Sequence, residues 1–205
     1  ILELESLAEP EAAEMIAAVD LGTLYHNILR DFYHALIQKG YFTAKTKEQA
    51  PVELFHYIAK KYFTAIEQQI PIPYPIIWEI EKEEITALLT RFITWDIEQI
   101  GKTGYVPACL EKTVKLSLHN NVISGGSQQE EALKIVLKGK IDRIDMKQTG
   151  DRASFRVIDY KSGRFLKENI MRSAIRGQKL QLPFYIIMAE QILSEEMKKN
   201  RIRKG

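Results

Sequence analysis

Asp159-Tyr160-Lys161 sets a carboxylate and an amine two residues apart. In an extended segment, residues at that spacing leave the same face, so Asp159 and Lys161 project together where the strand ends, beside Ser162-Gly163. On its own the tripeptide reads as a surface ion pair. A second carboxylate changes the chemistry. Asp142 lies in the preceding extended run, Gly139-Lys140-Ile141-Asp142-Arg143-Ile144-Asp145, and the short connection makes the two runs antiparallel neighbours. Ile141 belongs to the buried alternation and Asp142 faces away from it. Two carboxylates at adjacent strand ends repel unless a cation lies between them, and hard oxygen donors suit Mg²⁺ or Mn²⁺. The plain alternative is a polar strand end at which Arg143 and Asp145 meet water.

The elements that must position these groups follow from hydrophobic period. From about Pro10 to Lys39 the spacing is helical, with Leu21, Leu24, Tyr25, Ile28, Leu29, Phe32, Ala35 and Leu36 on one stripe. Val52 to Gln69 predicts a second amphipathic helix, through Leu54, Phe55, Ile58, Tyr62, Phe63 and Ile66. Pro71-Ile72-Pro73-Tyr74-Pro75 is a stiff connector, since proline cannot occupy a helix interior. A third helix runs from Ile76 to Ile100, closed by Gly101 and Gly104. The period then changes to two: Val114, Leu116 and Leu118 alternate with Lys115 and Ser117. Ile135, Leu137, Gly139 and Ile141 form a second alternating run, and Phe155 to Tyr160 a third, across a polar turn at Gln148-Thr149-Gly150-Asp151. Helix returns with Leu180, Phe184, Ile187 and Met188. This order predicts one α+β domain over 1–205: a helical part to 105, a mixed or antiparallel sheet over 106–165, and a C-terminal helical part.

Composition bounds the rest. The 205 residues are 45% apolar and 27% charged, typical of a globular protein. No apolar run approaches the about 18 residues of a membrane span, nothing at the start resembles a signal peptide, and a cytoplasmic setting is expected. A single cysteine, Cys109, excludes a disulfide framework and an all-cysteine metal site within the chain. The net charge of +2 carries little information, but its distribution carries more. Between Lys161 and Lys179 six basic residues (Lys161, Arg164, Lys167, Arg172, Arg176, Lys179) accompany one acid, Glu168, and flank the chemical tripeptide. The start at Ile1 and the stop at Lys204-Gly205 read as a fragment of something larger.

The two runs together, Gly139-Lys-Ile-Asp142-Arg-Ile-Asp145 and Val157-Ile-Asp159-Tyr-Lys161-Ser-Gly163, resemble the G-x-I-D-R-I-D and I-D-Y-K-[ST]-G signatures of PD-(D/E)XK nucleases of the RecB and AddB type. Three further motifs occur in the family's order. Gly22-Thr-Leu-Tyr-His26 matches G-x-x-x-H, Pro107-Ala-Cys-Leu-Glu111 resembles P-x-x-x-E, and Gln181-Leu-Pro-Phe-Tyr185 matches Q-x-x-x-Y. The resemblance spans Gly22 to Tyr185. Each motif alone is common; the ordered set is specific.

The resemblance implies a restriction-endonuclease-like core and Mg²⁺- or Mn²⁺-dependent hydrolysis of DNA phosphodiesters. His26, Asp142, Asp159 and the main-chain carbonyl of Tyr160 are the implied metal ligands. Lys161 would position the attacking water, with Glu111 either helping to bind the metal or shaping the substrate end. Gln181 and Tyr185 would orient the site and the DNA backbone. Arg164, Lys167, Arg172, Arg176, Gln178 and Lys179 are the expected DNA contacts. The implied parent is a helicase–nuclease of recombinational repair, so helicase domains or a helicase subunit are expected partners beside DNA. Many AddB-like relatives carry an iron–sulfur cluster on cysteines outside the motif set; this chain has neither set, Cys109 does not match them, and no cluster is expected within it. Two other readings remain: an inert nuclease-like DNA-binding or scaffolding domain, and a stand-alone phage-type exonuclease. Inert versions usually lose the lysine or an aspartate, and both are present here.

Overall fold

The computed structural model describes residues 21–43, 50–120, 133–150, 152–161 and 181–202. They fall into two compact units that divide between Gly104 and Tyr105.

The first unit is helical. Helix α1 spans Leu21–Gln38, α2 Val52–Gln69 and α3 Pro75–Thr103. The expected stripe of α1 is buried through Leu24, Ile28, Leu29, Phe32 and Leu36, and the core also takes in Tyr33. Phe32 meets Phe55 of α2 edge-on, with ring centroids 6.0 Å apart, and Phe63 meets Trp78 of α3 the same way at 5.9 Å. Aromatic pairs favour this geometry because a positive ring edge faces a negative ring face. Pro75 occupies the first turn of α3, where the missing N–H has no partner to lose. The helix runs through Gly101 to Thr103, three residues past the expected end at Ile100. Gly104 terminates it with φ 75°, a conformation open to a residue without a Cβ, and its N–H donates to the Ile100 carbonyl at 2.8 Å.

The second unit is a three-stranded antiparallel sheet in the order β1–β2–β3, with one helix against it. Strand β1 is Val106–Asn120, β2 Leu133–Thr149 and β3 Arg152–Ile158; helix α4 is Gln181–Ile202. Of the two expected sheet types, the antiparallel one is found among the described residues. Cys109, Val114, Ile141 and Ile144 pack with Met188, Ala189, Ile192 and Leu193 of α4 into one core. Gly139 lets α4 come close to β2: a Cβ there would stand 3.1 Å from Tyr185 Cε1 and 3.2 Å from Met188 Sδ.

The alternation along β2 is interrupted between Ile141 and Ile144. Ile141 and Ile144 both join the core, although strict alternation would send them to opposite faces. Cys109 and Val114 on β1 show the same change of phase, at register partners Ile144 and Gly139. Between them lies Glu111, with φ 48°. A side chain in this left-handed region costs about 1–2 kcal/mol, and such strain concentrates at functional sites.

Candidate active site

The register Leu110↔Arg143 and Lys112↔Ile141 sets Glu111 opposite Asp142, at the point where both strands change phase. Their carboxylate oxygens lie within 4.8 Å of each other. Asp142 is 7% exposed, and the Glu111 side chain 9%. Asp142 is thus buried, beside the core residue Ile141. Glu111 pairs with the Lys140 ammonium, and Asp142 Oδ2 accepts the main-chain N–H of Tyr160 at 2.7 Å.

That hydrogen bond ties β2 to the chemical tripeptide. Arg143 pairs with Ile158 at the end of β3, so one further step of the same register brings Asp159 opposite Asp142. Asp159 and Lys161 share a face, as their spacing predicts, and form an ion pair with Nζ–Oδ2 2.9 Å. The Asp159 hydrogen bond, with the further charge of Asp142, holds the Lys161 ammonium above its ordinary pKa. Lys161 is thus a cation at neutral pH, and its side chain is 61% exposed.

Arg143 and Asp145 are fully buried and do not meet water as a polar strand end would. Arg143 Nε lies 2.8 Å from Asp145 Oδ1, and its Nη2 donates to Oδ2 at 3.1 Å. Arg156, opposite Asp145 in the register, donates to the same Oδ2 from Nε at 2.9 Å and Nη2 at 2.8 Å. Burial holds the Asp145 carboxyl above its usual range even so, with the two guanidiniums pulling the other way. Arg143 Nη1 also donates to the Tyr160 hydroxyl at 3.1 Å. The sequence held a signal for this cluster: a hairpin register that sets Arg156 against Asp145 pairs opposite charges.

On α4, Gln181 Nε2 donates to the Tyr185 hydroxyl at 2.8 Å, one helical turn away. Tyr185 also contributes to the electrostatics at Lys161. The chain thus brings together Glu111, Asp142, Asp159, Tyr160 and Lys161, with Gln181 and Tyr185 joined on the covering helix. His26 is a partly buried residue of α1 and belongs to the first unit. Arg164, Lys167, Arg172, Arg176, Gln178 and Lys179 lie outside the described residues.

The donor set fits a hard divalent cation. Glu111 and Asp142 supply buried oxygen donors at close quarters, with the Lys140 ammonium and the Tyr160 main-chain N–H beside them.

The model of the PD-(D/E)XK nuclease superfamily matches residues 1–204, and the chain belongs to that superfamily. Its relatives include an ATP-dependent helicase/deoxyribonuclease subunit of Clostridioides difficile, 29% identical over 88% of this chain, and one of Thermoanaerobacter sp. (strain X514), 25% identical over 82%. The protein of the same name in Alkaliphilus oremlandii is 26% identical over 88%. The matched region is 14–15% of each relative's length. The superfamily is one of nucleases. Among the described residues, no helix is long and apolar enough to cross a membrane.

Proposed function

We propose that this chain is a metal-dependent deoxyribonuclease domain that hydrolyses DNA phosphodiester bonds, working as the exonuclease of a helicase–nuclease in recombinational repair. The observation that carries the reading is the buried Glu111–Asp142 pair beside the Asp159–Lys161 turn. Asp142, Asp159, the Tyr160 carbonyl and His26 would hold Mg²⁺ or Mn²⁺, with Glu111 beside Asp142. For His26 the support is the G-x-x-x-H motif. A bound ion of this kind polarises a phosphoryl oxygen and lowers the pKa of water.

The remaining work falls to the protein. Lys161, protonated and exposed, moves from Asp159 to the scissile phosphate, orients the attacking water, and offsets charge that develops on the phosphoryl oxygens. Gln181 and Tyr185, fixed by their mutual hydrogen bond, contact the DNA backbone. Arg164, Lys167, Arg172, Arg176, Gln178 and Lys179 follow the phosphates beyond the site. Helicase domains of a parent protein or a partner chain would feed the strand, in the cytoplasm.

The test is cleavage of end-labelled single- and double-stranded DNA with Mg²⁺, Mn²⁺, Ca²⁺ or EDTA. Mg²⁺ and Mn²⁺ should support cutting. Ca²⁺ should support it weakly, since it prefers more ligands at longer distances. Full activity in EDTA overturns the reading, and DNA binding without cleavage under every metal identifies a binding or scaffolding domain.

A further inference from the structure

We infer that Arg143 and Asp145 form a buried strut that acts through Tyr160 to set the catalytic turn, which makes all three positioning residues. The inference rests on the nuclease reading for its consequence, but its geometry belongs to the sheet alone.

Adjacent residues of a strand point to opposite faces. Ile144 faces the α4 core, so Arg143 and Asp145 face the other way. Both are fully buried there. Desolvating two charges costs several kcal/mol per ion, so such a pair is an inefficient route to stability when apolar residues would fill the same space. What the pair supplies is direction. Arg143 Nη2 donates to Asp145 Oδ2 at 3.1 Å, its Nε stands in ion-pair contact with Oδ1 at 2.8 Å, and Arg156 donates to Oδ2 at 2.8 and 2.9 Å. These contacts orient the guanidinium plane, and its Nη1 donates to the Tyr160 hydroxyl at 3.1 Å. The guanidinium carbon also lies 5.9 Å from the centroid of the Tyr160 ring, within cation–π range.

Tyr160 stands between Asp159 and Lys161, so its side chain serves as a peg at the centre of the tripeptide. The peg is held at both ends: the phenol by Arg143, and the main-chain N–H by Asp142 at 2.7 Å. Two neighbouring residues of β2, Asp142 and Arg143, thus clamp the residue whose backbone orients Asp159, Lys161 and the Tyr160 carbonyl. Partners that orient metal ligands typically contribute roughly 10–100-fold to metal affinity or activity.

The experiment compares the wild-type chain with Tyr160→Phe, Arg143→Lys and the double variant. It reads Mn²⁺ affinity by titration calorimetry without DNA, then kcat and KM for DNA cleavage, then melting temperature. Tyr160→Phe keeps the ring and loses one hydrogen bond, so it folds even where Arg143→Lys does not. It should weaken Mn²⁺ binding and lower kcat by about 3- to 10-fold, with KM for DNA unchanged. Arg143→Lys keeps the charge and loses the fork, and should cost roughly 10–100-fold. The double variant should be no worse than Arg143→Lys, because both changes cut one connection. Unchanged Mn²⁺ affinity and kcat in Tyr160→Phe, or single effects that multiply in the double variant, would overturn the strut. A wild-type chain that binds Mn²⁺ and never cuts DNA would overturn the nuclease reading, while the Mn²⁺ affinities still decide the strut.

Discussion

Both units bury an acid beside a tyrosine, and they do so differently. In the helical unit Asp96 is 3% exposed and accepts the Tyr33 hydroxyl at 2.5 Å, linking α3 to α1 inside an aromatic core. In the sheet unit Asp145 is held by two guanidiniums, one of which continues to a tyrosine beside the reactive turn. A single acid capped by a phenol joins two helices. Several charges gathered in a few residues of one strand, next to a backbone with a positive φ, adjoin the acids of the proposed site. The helical unit is organised by shape and the sheet unit by charge.

The sharpest break in this comparison is catalytic. Asp159→Ala and Lys161→Ala should each lower cleavage by at least roughly 10²–10³-fold, with circular dichroism and melting temperature close to wild type. The ion pair they share is partly exposed and contributes little to stability. Wild-type cutting rates, or unfolded variants, would remove the sheet unit's claim to the chemistry.

Stability separates the two buried acids next. Asp145→Ala leaves Arg143 buried without its counter-charge, and should destabilise the protein by about 3–5 kcal/mol in denaturant titration. Tyr33→Phe removes one hydrogen bond to Asp96 and should cost about 1.5–3 kcal/mol, leaving kcat unchanged. A fall in kcat for Tyr33→Phe in folded protein would erase the distinction between the units.

Glycines sharpen the same contrast at smaller scale. Gly139→Ala puts a Cβ 3.1–3.2 Å from Tyr185 and Met188, and should destabilise by about 1–2 kcal/mol while displacing the Gln181–Tyr185 pair. Gly101→Ala, within α3 and with open space around the added carbon, should stabilise by about 0.5–1 kcal/mol. Thermal melts of the two variants should move in opposite directions.

The smallest effect is a pH limb in the helical unit. Tyr62 donates to Asp31 at 2.6 Å, and its pKa is pushed up to about 12 by burial and by that carboxylate. Because the folded pKa is raised, the contribution is complete below the unfolded value of about 10, erodes as pH rises, and is lost through 12. Wild-type melting temperature should therefore fall more steeply between pH 10 and 12 than that of Tyr62→Phe. Parallel curves would show that this half-exposed contact contributes nothing.

Much of this was legible in the residue order. Helical period placed α2 at its observed bounds, because an amphipathic stripe and a proline-rich stop are local properties. The antiparallel pairing of Asp142's strand with that of Asp159 followed from a short connection, and the shared face of Asp159 and Lys161 from a period of two. Periodicity failed where the backbone left its period. Nothing local marks Glu111 as left-handed, and nothing in the alternation shows that Asp142 is buried. The same limit hid the burial of Arg143 and Asp145. A strand's pattern reports which residues alternate, but which face is covered depends on elements distant in sequence. The amino-acid sequence by itself determined the order of helices and strands and the set of groups capable of the chemistry. Tertiary structure alone decided which of those groups are desolvated, because burial is a property of the packed molecule and gives the same carboxylate a different role inside the sheet than at its edge.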